Sequence, residues 1–267
     1  MTLHTTSLGD SGSRVIFLHG LFGQGRNWTQ VGKAFAGDHR VTLVDLPHHG
    51  RSPWRESFSY AELADSVAEL ISADDPVAMV GHSMGGKAAM ALALRRPELV
   101  ERLCVVDIAP VDHAAGSEFA PYVAAMRALD LDALPHRHDA EAALAPAVPD
   151  PTVRSFLLQN LRREGARWRW QVNLEVLGRD LAAISRWPPE LDRLPAYPGP
   201  VLWITGGESN YVRDDHAAAM ERLFPRTRRV SVKGAGHWVH SEKPEVFVEV
   251  LRGFLGRGAI VADTPSP

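Results

Sequence analysis

Cysteine and long apolar runs are the features that this sequence most clearly lacks. Its 267 residues include a single cysteine, Cys104, which excludes an internal disulfide. Because Leu103, Val105 and Val106 flank this residue, we expect a buried thiol within a strand. No apolar run approaches the ~18 residues that cross a bilayer, and residues 1–6 lack the basic start and apolar core of a signal sequence. These absences predict a cytoplasmic protein without a membrane span.

An excess of positive charge is also missing. The 29 Lys and Arg residues are outnumbered by 32 Asp and Glu residues, which gives a net charge of −3. Binding to nucleic acid requires a concentrated positive surface, so this balance argues against a nucleic-acid partner. Arginines do gather at residues 162–169 and 226–229, and we interpret both groups as solvent-exposed faces. The length suits one large α/β domain with an insertion, or two small domains.

A glycine-rich turn at residues 81–85 carries the strongest functional signal. A valine-rich run ends at Gly81, and a helix-forming run of small residues begins shortly after Ser83, which predicts a strand, a turn and a helix. In the pattern Gly81-x-Ser83-x-Gly85, the glycines permit a turn too tight for a Cβ atom, and the serine hydroxyl is pushed out above the sheet. This arrangement is typical of a nucleophile elbow.

Apolar strands alternate with helical segments on both sides of a differently patterned middle region. Strands are predicted at residues 14–18, 41–44, 77–80, 99–106, 201–205 and 228–232. Strands separated by helices at this spacing predict an α/β fold with a mostly parallel, doubly wound sheet. In such a sheet the ligand lies at the C-terminal ends of the strands, where His19, Asp45, Ser83 and Asp107 fall.

The middle region, residues 111–195, is predicted to be a helical cap. Its alanine-rich helical segments are separated by prolines, and it shows no buried parallel strand. We therefore divide the chain into a core of residues 1–110 and 196–258, the cap, and a flexible tail of residues 259–267. A cap over the mouth of the site would exclude water and shape the pocket for an acyl group.

A serine nucleophile needs a histidine that takes its proton and a carboxylate that orients the histidine. His237 follows a late strand on a glycine-rich loop and is preferred to His240 as the base. Asp107 comes directly after an apolar strand, one strand beyond the nucleophile, and is the preferred acid. Glu208, on the loop after residues 201–205, remains the alternative acid.

The loop that begins with His19 is expected to help stabilise negative charge. The predicted oxyanion donors are the backbone N–H groups of Leu21 and Met84, with Phe22 as the alternative to Leu21. His19 itself is assigned a hydrogen bond that braces the loop.

Aromatic residues are predicted to line the substrate pocket, although those in the middle region could instead pack inside the cap. The residues selected are Phe22, Phe119, Trp187, Tyr211 and Trp238. No metal site is expected at the adjacent residues His48 and His49, because no third ligand follows at metal-site spacing.

Four stretches of the chain resemble the α/β-hydrolase superfamily, within it a branch with bacterial and mammalian members. They are His-Gly-Leu-Phe-Gly at 19–23, Gly-His-Ser-Met-Gly-Gly-Lys at 81–87, Val-Asp-Ile-Ala-Pro at 106–110 and Ala-Gly-His-Trp-Val-His-Ser-Glu-Lys-Pro at 235–244. The resemblance covers nearly the whole chain, cap included. It implies hydrolysis of carboxylic esters, with acyl thioesters as a further class, and no cofactor. One departure is that Glu208, Ser209 and Asn210 stand where an aspartate is usual, which agrees with Asp107 as the acid and keeps Glu208 open.

The predicted function is that of a serine esterase acting on esters of small or medium acyl chains through an acyl-enzyme intermediate. Its partner would be a small-molecule ester, and the protein would be a monomer or a weak homodimer. A perhydrolase or a carbon–carbon bond hydrolase would use the same three residues. A ligand-sensing receptor of the same fold is the alternative from another class, and the complete set of catalytic residues argues against it.

Overall fold

A central sheet organises the chain from its first strand to its last. The computed structural model describes residues 2–113, 116–165 and 167–256, so the predicted tail at 259–267 lies outside the described residues. The strands are β1 (Thr5–Leu8), β2 (Ser13–Leu18), β3 (His39–Val44), β4 (Val77–His82), β5 (Val100–Val106), β6 (Leu161–Glu164), β7 (Arg167–Trp170), β8 (Val201–Gly206) and β9 (Thr227–Val232).

The helices fill the intervals between these strands and follow the last of them. They are α1 (Thr29–Phe35), α2 (Tyr60–Ala68), α3 (Met84–Arg95), α4 (Gly116–Ala128), α5 (Arg137–Leu144), α6 (Pro151–Leu158), α7 (Leu174–Arg179), α8 (Leu181–Ser185), α9 (Ala217–Leu223), α10 (Val239–Glu242) and α11 (Pro244–Leu255). Short 3₁₀ turns lie at Gly25–Trp28, Pro97–Leu99, Leu191–Arg193 and Asp214–His216. Across residues 2–113, 116–165 and 167–256, no helix combines the length and apolar character needed to cross a membrane.

Seven of the strands form one mixed sheet in the order β1-β3-β2-β4-β5-β8-β9. β1 runs antiparallel to β3, and the other neighbours are parallel. The register sets Leu18 beside Gly81, and Val106 beside both His82 and Ile204. The C-terminal ends of β2, β4, β5 and β8 therefore meet at one edge of the sheet. The predicted α/β fold with a mostly parallel sheet is confirmed.

Apolar side chains cover the sheet on both faces. Along β2, Ile16 and Leu18 belong to one buried cluster, while Val15 and Phe17 belong to the other. This alternation is the two-residue period of a strand that is buried on both sides. Cys104 of β5 lies in the second cluster and is 1% exposed, as its apolar neighbours predict, and burial raises the pKa of its thiol.

The chain between β5 and β8, which we call the insertion, holds helices α4 to α8. It also contains an antiparallel hairpin formed by β6 and β7, in which Leu161 lies opposite Trp170. The sequence predicted helical segments and no buried parallel strand here; this antiparallel, partly exposed hairpin was not predicted. Strand β1 was also not predicted; its four residues, Thr-Thr-Ser-Leu, are partly exposed and pair with the edge of the sheet, so they lack an apolar signal.

Candidate active site

Ser83 lies on the turn between β4 and α3, where the backbone is strained. Its φ angle is 53°, a left-handed value that a serine rarely adopts. A Cβ atom on Gly81 would lie 2.3 Å from the carbonyl oxygen of Gly85, and one on Gly85 would lie 2.4 Å from the carbonyl oxygen of His19. Both distances are too short for any side chain, so the two glycines are required sterically.

A buried carboxylate and a histidine meet beside this turn. Asp107 follows β5, is fully buried, and accepts a hydrogen bond at its Oδ2 from the Nδ1–H of His237 at 2.8 Å. Its Oδ1 accepts from the backbone N–H of Gly206 at 2.9 Å, and the hydroxyl of Ser209 also donates to Oδ2. Glu208 is exposed, and its backbone N–H donates to the carbonyl of Ala235. Asp107, and not Glu208, is therefore the carboxylate that contacts His237.

His237 and Ser83 line the same cavity. Because Nδ1 of His237 bonds to Asp107, Nε2 is the ring nitrogen that is available for a hydrogen bond with Ser83. The ring stacks on Tyr211, with centroids 4.0 Å apart and planes inclined by 22°. Within the described residues no hydrogen bond joins Ser83 Oγ to His237, and such bonds are often long before a substrate binds.

The loop after β2 holds two candidate oxyanion donors, the N–H groups of Leu21 and Phe22, and the second of them already has a partner. The N–H of Phe22 donates to Nε2 of His49 at 3.2 Å, while Nδ1–H of His49 donates to the carbonyl of Pro47 at 2.9 Å. Burial lowers the pKa of His49 well below its ordinary value, so this ring is neutral and accepts at Nε2. The alternative assignment of Phe22 is therefore disfavoured, and Leu21 and Met84 remain. Met84 is the first residue of α3, where backbone N–H groups have no partner within the helix.

Two further histidines support the loops around the site. His19 donates from Nδ1 to the carbonyl of Gly20 at 2.8 Å and accepts at Nε2 from the N–H of Leu46 at 3.0 Å. It thus makes the bracing bonds that were assigned to it. His82 donates from Nε2 to the carbonyl of His237 at 2.9 Å, a role that the sequence pattern did not reveal.

His240, the alternative base, is turned toward a different partner. Its ring stacks on Trp28 with centroids 4.2 Å apart, and burial lowers its pKa to about 3. The Nε2–H of His48 donates to the carbonyl of Ser57 at 3.1 Å. Among the described residues, no group of three or more His, Cys, Asp and Glu side chains is placed to hold a metal ion.

Two small cavities meet at Ser83. The first has a volume of about 50 Å³ and includes Phe22, Phe119, His237 and Trp238 in its wall. The second has a volume of about 30 Å³, and its wall includes Phe119 again and Tyr211. Four of the five predicted pocket residues therefore border one cavity or both.

Trp187 is the exception and lies in neither wall. It is 5% exposed, and its indole N–H donates to Asp192 at 2.9 Å, while its backbone N–H donates to Asp112 at 2.7 Å. The assignment of Trp187 to the pocket is corrected: both of its N–H groups donate to residues of the insertion.

Sequence reasoning also passed over Lys87, which the structure places in the wall of the second cavity. It lies one helical turn after Ser83 and is 1% exposed. Its Nζ donates to the carbonyls of Ser185 at 2.7 Å and Arg186 at 3.0 Å. Burial lowers the pKa of Lys87 to about 7. The available signal was its position in the run Gly85-Gly86-Lys87, directly behind the nucleophile.

The fold and the elbow together define an α/β hydrolase, and the chain belongs to that family. The model of the alpha/beta hydrolase family matches residues 15–250. The chain is similar to the sn-1-specific diacylglycerol lipase ABHD11 of Mus musculus, with 41% identity over 90% of this chain and 80% of the relative. It is also similar to the esterase YbfF of Escherichia coli K12, with 32% identity over 91% of this chain and 93% of the relative. The branch that the four sequence motifs indicated is therefore confirmed.

A solved structure agrees with this placement. The structure of a marine microorganism esterase superposes with a TM-score of 0.91 at 30% identity, over 95% of this chain and 99% of that chain. The similarity extends through the insertion, so the arrangement of core and insertion is shared by the two proteins.

Proposed function

We propose that this protein is a serine hydrolase of carboxylic esters. The observation that carries the proposal is the hydrogen bond between His237 and buried Asp107 at a cavity that also contains Ser83 on its strained turn. A serine, an imidazole and a carboxylate in this order activate a hydroxyl for attack on an acyl carbonyl. The names of the similar proteins, an esterase and a lipase, support esters as the substrate class.

In the proposed reaction, Nε2 of His237 takes the proton of Ser83 as the hydroxyl oxygen attacks the carbonyl carbon. The negative oxygen of the tetrahedral intermediate accepts hydrogen bonds from the N–H groups of Leu21 and Met84, each of which contributes roughly 3 kcal/mol. The protonated imidazole then gives its proton to the leaving alcohol, and an acyl-enzyme forms. A water molecule deprotonated by His237 attacks this ester, and the acid leaves as Ser83 regains its proton.

From the position of His237 we infer which part of the ester lies in each cavity. His237 has to protonate the leaving alcohol, and it borders the first cavity, so we place the alcohol there and the acyl group in the second cavity. The small volume of the second cavity favours short acyl chains. We further propose that residues 111–195 act as a cap, since Phe119 and Phe156 of this segment border the first cavity.

The reaction needs no cofactor, because every proton transfer is assigned to His237. A small-molecule ester is the proposed partner. Since the mouse relative is named a diacylglycerol lipase, glycerol esters belong in the first substrate panel together with p-nitrophenyl esters of increasing acyl length.

Replacement of the nucleophile tests the proposal. Ser83→Ala should lower kcat for p-nitrophenyl butyrate by roughly 10⁶ and abolish labelling by a fluorophosphonate probe, because both reactions need the hydroxyl. Ser7→Ala, on the exposed face of β1, is the matched control and should retain both. Turnover or labelling that survives in Ser83→Ala would contradict the proposal.

A further inference from the structure

The second cavity beside Ser83 contains a buried amine. Lys87 and Ser83 are separated by one turn of α3, and both border this cavity together with Tyr60 and His113. The hydroxyl of Tyr60 is already used, since it donates to the carbonyl of Ile184 at 2.6 Å. Burial lowers the pKa of His113 to about 4, so its imidazole is neutral near pH 7. Lys87, whose lowered pKa of about 7 leaves charged and neutral forms both populated near pH 7, is therefore the strongest base of this cavity wall.

Lys87 has hydrogen-bond acceptors but lacks a carboxylate partner. Two N–H groups of its ammonium donate to the carbonyls of Ser185 and Arg186. No Asp or Glu among the described residues lies within ion-pairing distance of Nζ. The carboxylate of Asp112 raises the pKa of Lys87 through space, but its own Oδ1 accepts from the N–H of Trp187. An ammonium has three donors; the third has no hydrogen-bond acceptor among the described residues, and Nζ lies 5.9 Å from the centroid of the Tyr60 ring.

Burial disfavours the charged form of this amine, and a ligand that supplies an anion favours the ammonium over the neutral amine. Hydrogen bonds between an ammonium and a carboxylate are also stronger than those between neutral groups. The observed combination of a buried amine without a carboxylate at ion-pairing distance, a cavity and the nucleophile thus fits a substrate that carries its own negative charge.

We propose that Lys87 forms a carboxylate subsite and that the substrate is an ester whose acyl part ends in a second carboxyl group. This inference rests on the proposed ester hydrolysis and on the placement of the acyl group in the second cavity. Lys87 and Ser83 border the same small cavity, so only a short acyl chain would lie between the nucleophile and the amine. The far carboxylate accepts the third N–H of Lys87 while the near carbonyl lies at Ser83.

Two ethyl esters of equal acyl chain length test the subsite. Monoethyl glutarate ends in a carboxylate, and ethyl pentanoate ends in a methyl group. We expect Lys87→Met to lower kcat/KM for monoethyl glutarate by about tenfold or more, with a change below about threefold for ethyl pentanoate. Ethanol release measures both. Lys33→Met, an exposed position on α1, is the matched control and should leave both values unchanged.

Lys87→Gln serves as the second variant, because it keeps a donor for the two carbonyls while it removes the charge. In the unmodified protein, glutarate should inhibit hydrolysis of p-nitrophenyl butyrate more strongly than pentanoate does. A ratio of the two kcat/KM values that is the same in the unmodified protein and in the Lys87 variants, or stronger inhibition by pentanoate, overturns the subsite alone. If the unmodified protein hydrolyses neither ester and Ser83 is not labelled by a fluorophosphonate, ester hydrolysis itself is overturned.

Discussion

The carboxylate of Asp107 is fixed from several directions before any substrate arrives. Gly206 donates to one oxygen, and His237 and Ser209 both donate to the other. The residue has a φ angle of 50°, a left-handed value outside the range of the strand that precedes it. These bonds hold the carboxylate plane, which in turn holds the ring of His237 with Nε2 toward the cavity.

Replacement of Asp107 by asparagine should lower turnover far more than replacement of the exposed Glu208 by glutamine does. In Asp107→Asn, an amide replaces the acceptor of the Nδ1–H bond, so the imidazolium loses its counter-charge and the required tautomer is no longer enforced; kcat should fall by about 10⁴. Glu208→Gln is the control and should stay within about twofold. Steady-state hydrolysis of p-nitrophenyl butyrate gives both values. Near-normal turnover in Asp107→Asn with a defect in Glu208→Gln would reverse the assignment.

Single residues differ in how far the sequence predicts them. The turn around Ser83 has a local signature, and the loop of His237 is marked by glycines, so both could be located in advance. The choice between Leu21 and Phe22 depends on His49, 27 positions beyond Phe22. Trp187 was misplaced because a large apolar residue in the insertion carries no local mark of whether it faces the cavity or packs away from it.

At the scale of elements, the junction of β4 and α3 tolerates no added atoms. A Cβ on Gly85 would lie 2.4 Å and 2.7 Å from the carbonyl oxygens of His19 and Leu18, both of which are backbone atoms. Backbone cannot move aside as a flexible side chain can, so α3 would have to separate from the end of β2. The packing of this junction and the position of the nucleophile therefore depend on the same glycine.

Two alanine substitutions of glycine should act in opposite directions. Gly85→Ala should destabilise the fold by about 2–3 kcal/mol or more through overpacking. Gly253→Ala, at an exposed position inside α11 with open space around its Cβ, should stabilise it by about 0.5–1 kcal/mol through helix propensity. Thermal unfolding followed by circular dichroism measures both. A Gly85→Ala protein as stable as the parent would contradict this account of the turn.

The buried parallel strands were predictable because their apolar runs are continuous, whereas the peripheral strands were not. The run Arg-Trp-Arg-Trp of β7 does alternate with the period of a strand, but its arginines favoured the interpretation of a solvent-exposed face. In the structure this run is a strand and its arginines are exposed; Arg169 pairs with Glu164 across the hairpin at 2.8 Å. For short exposed strands, charge and periodicity give competing signals.

At the scale of the whole molecule, the core and the insertion are joined on both sides of the cavities. Gln24 donates to Asn160 at 2.7 Å, and Asn160 donates to the carbonyl of Phe22 at 2.8 Å. On the other side, Lys87 and Tyr60 donate to carbonyls at the end of α8. The partners are about a hundred or more positions apart, so no local pattern could reveal them.

Acid should destabilise the molecule because it contains several buried neutral histidines. Burial lowers the pKa of His19, His49, His82 and His240 below 6.5. As the pH falls below 6.5, the unfolded chain takes up protons that the folded chain does not, so the free energy of unfolding decreases by up to about 1.4 kcal/mol per pH unit for each such proton. Urea unfolding followed by tryptophan fluorescence should show a lower midpoint at about pH 5 than at about pH 7.

His240→Phe isolates one contribution to this slope. Phenylalanine keeps an aromatic ring against Trp28 and removes a buried Nδ1 that has no hydrogen-bond partner. The variant should therefore lose less stability between about pH 7 and pH 5 than the parent. His138→Phe, at a side chain that is 75% exposed, is the control and should leave the slope unchanged. Equal slopes for all three proteins would show that His240 is not the titrating group.

The solitary thiol of β5 offers a way to watch the sheet open. Cys104 lies in the middle of a strand that has a neighbour on each side and apolar layers above and below. A thiol-reactive dye can reach the sulfur only when these layers part, and the chain has no second cysteine to obscure the reading. The rate of dye attachment thus reports how often the centre of the molecule becomes accessible, without any engineered probe.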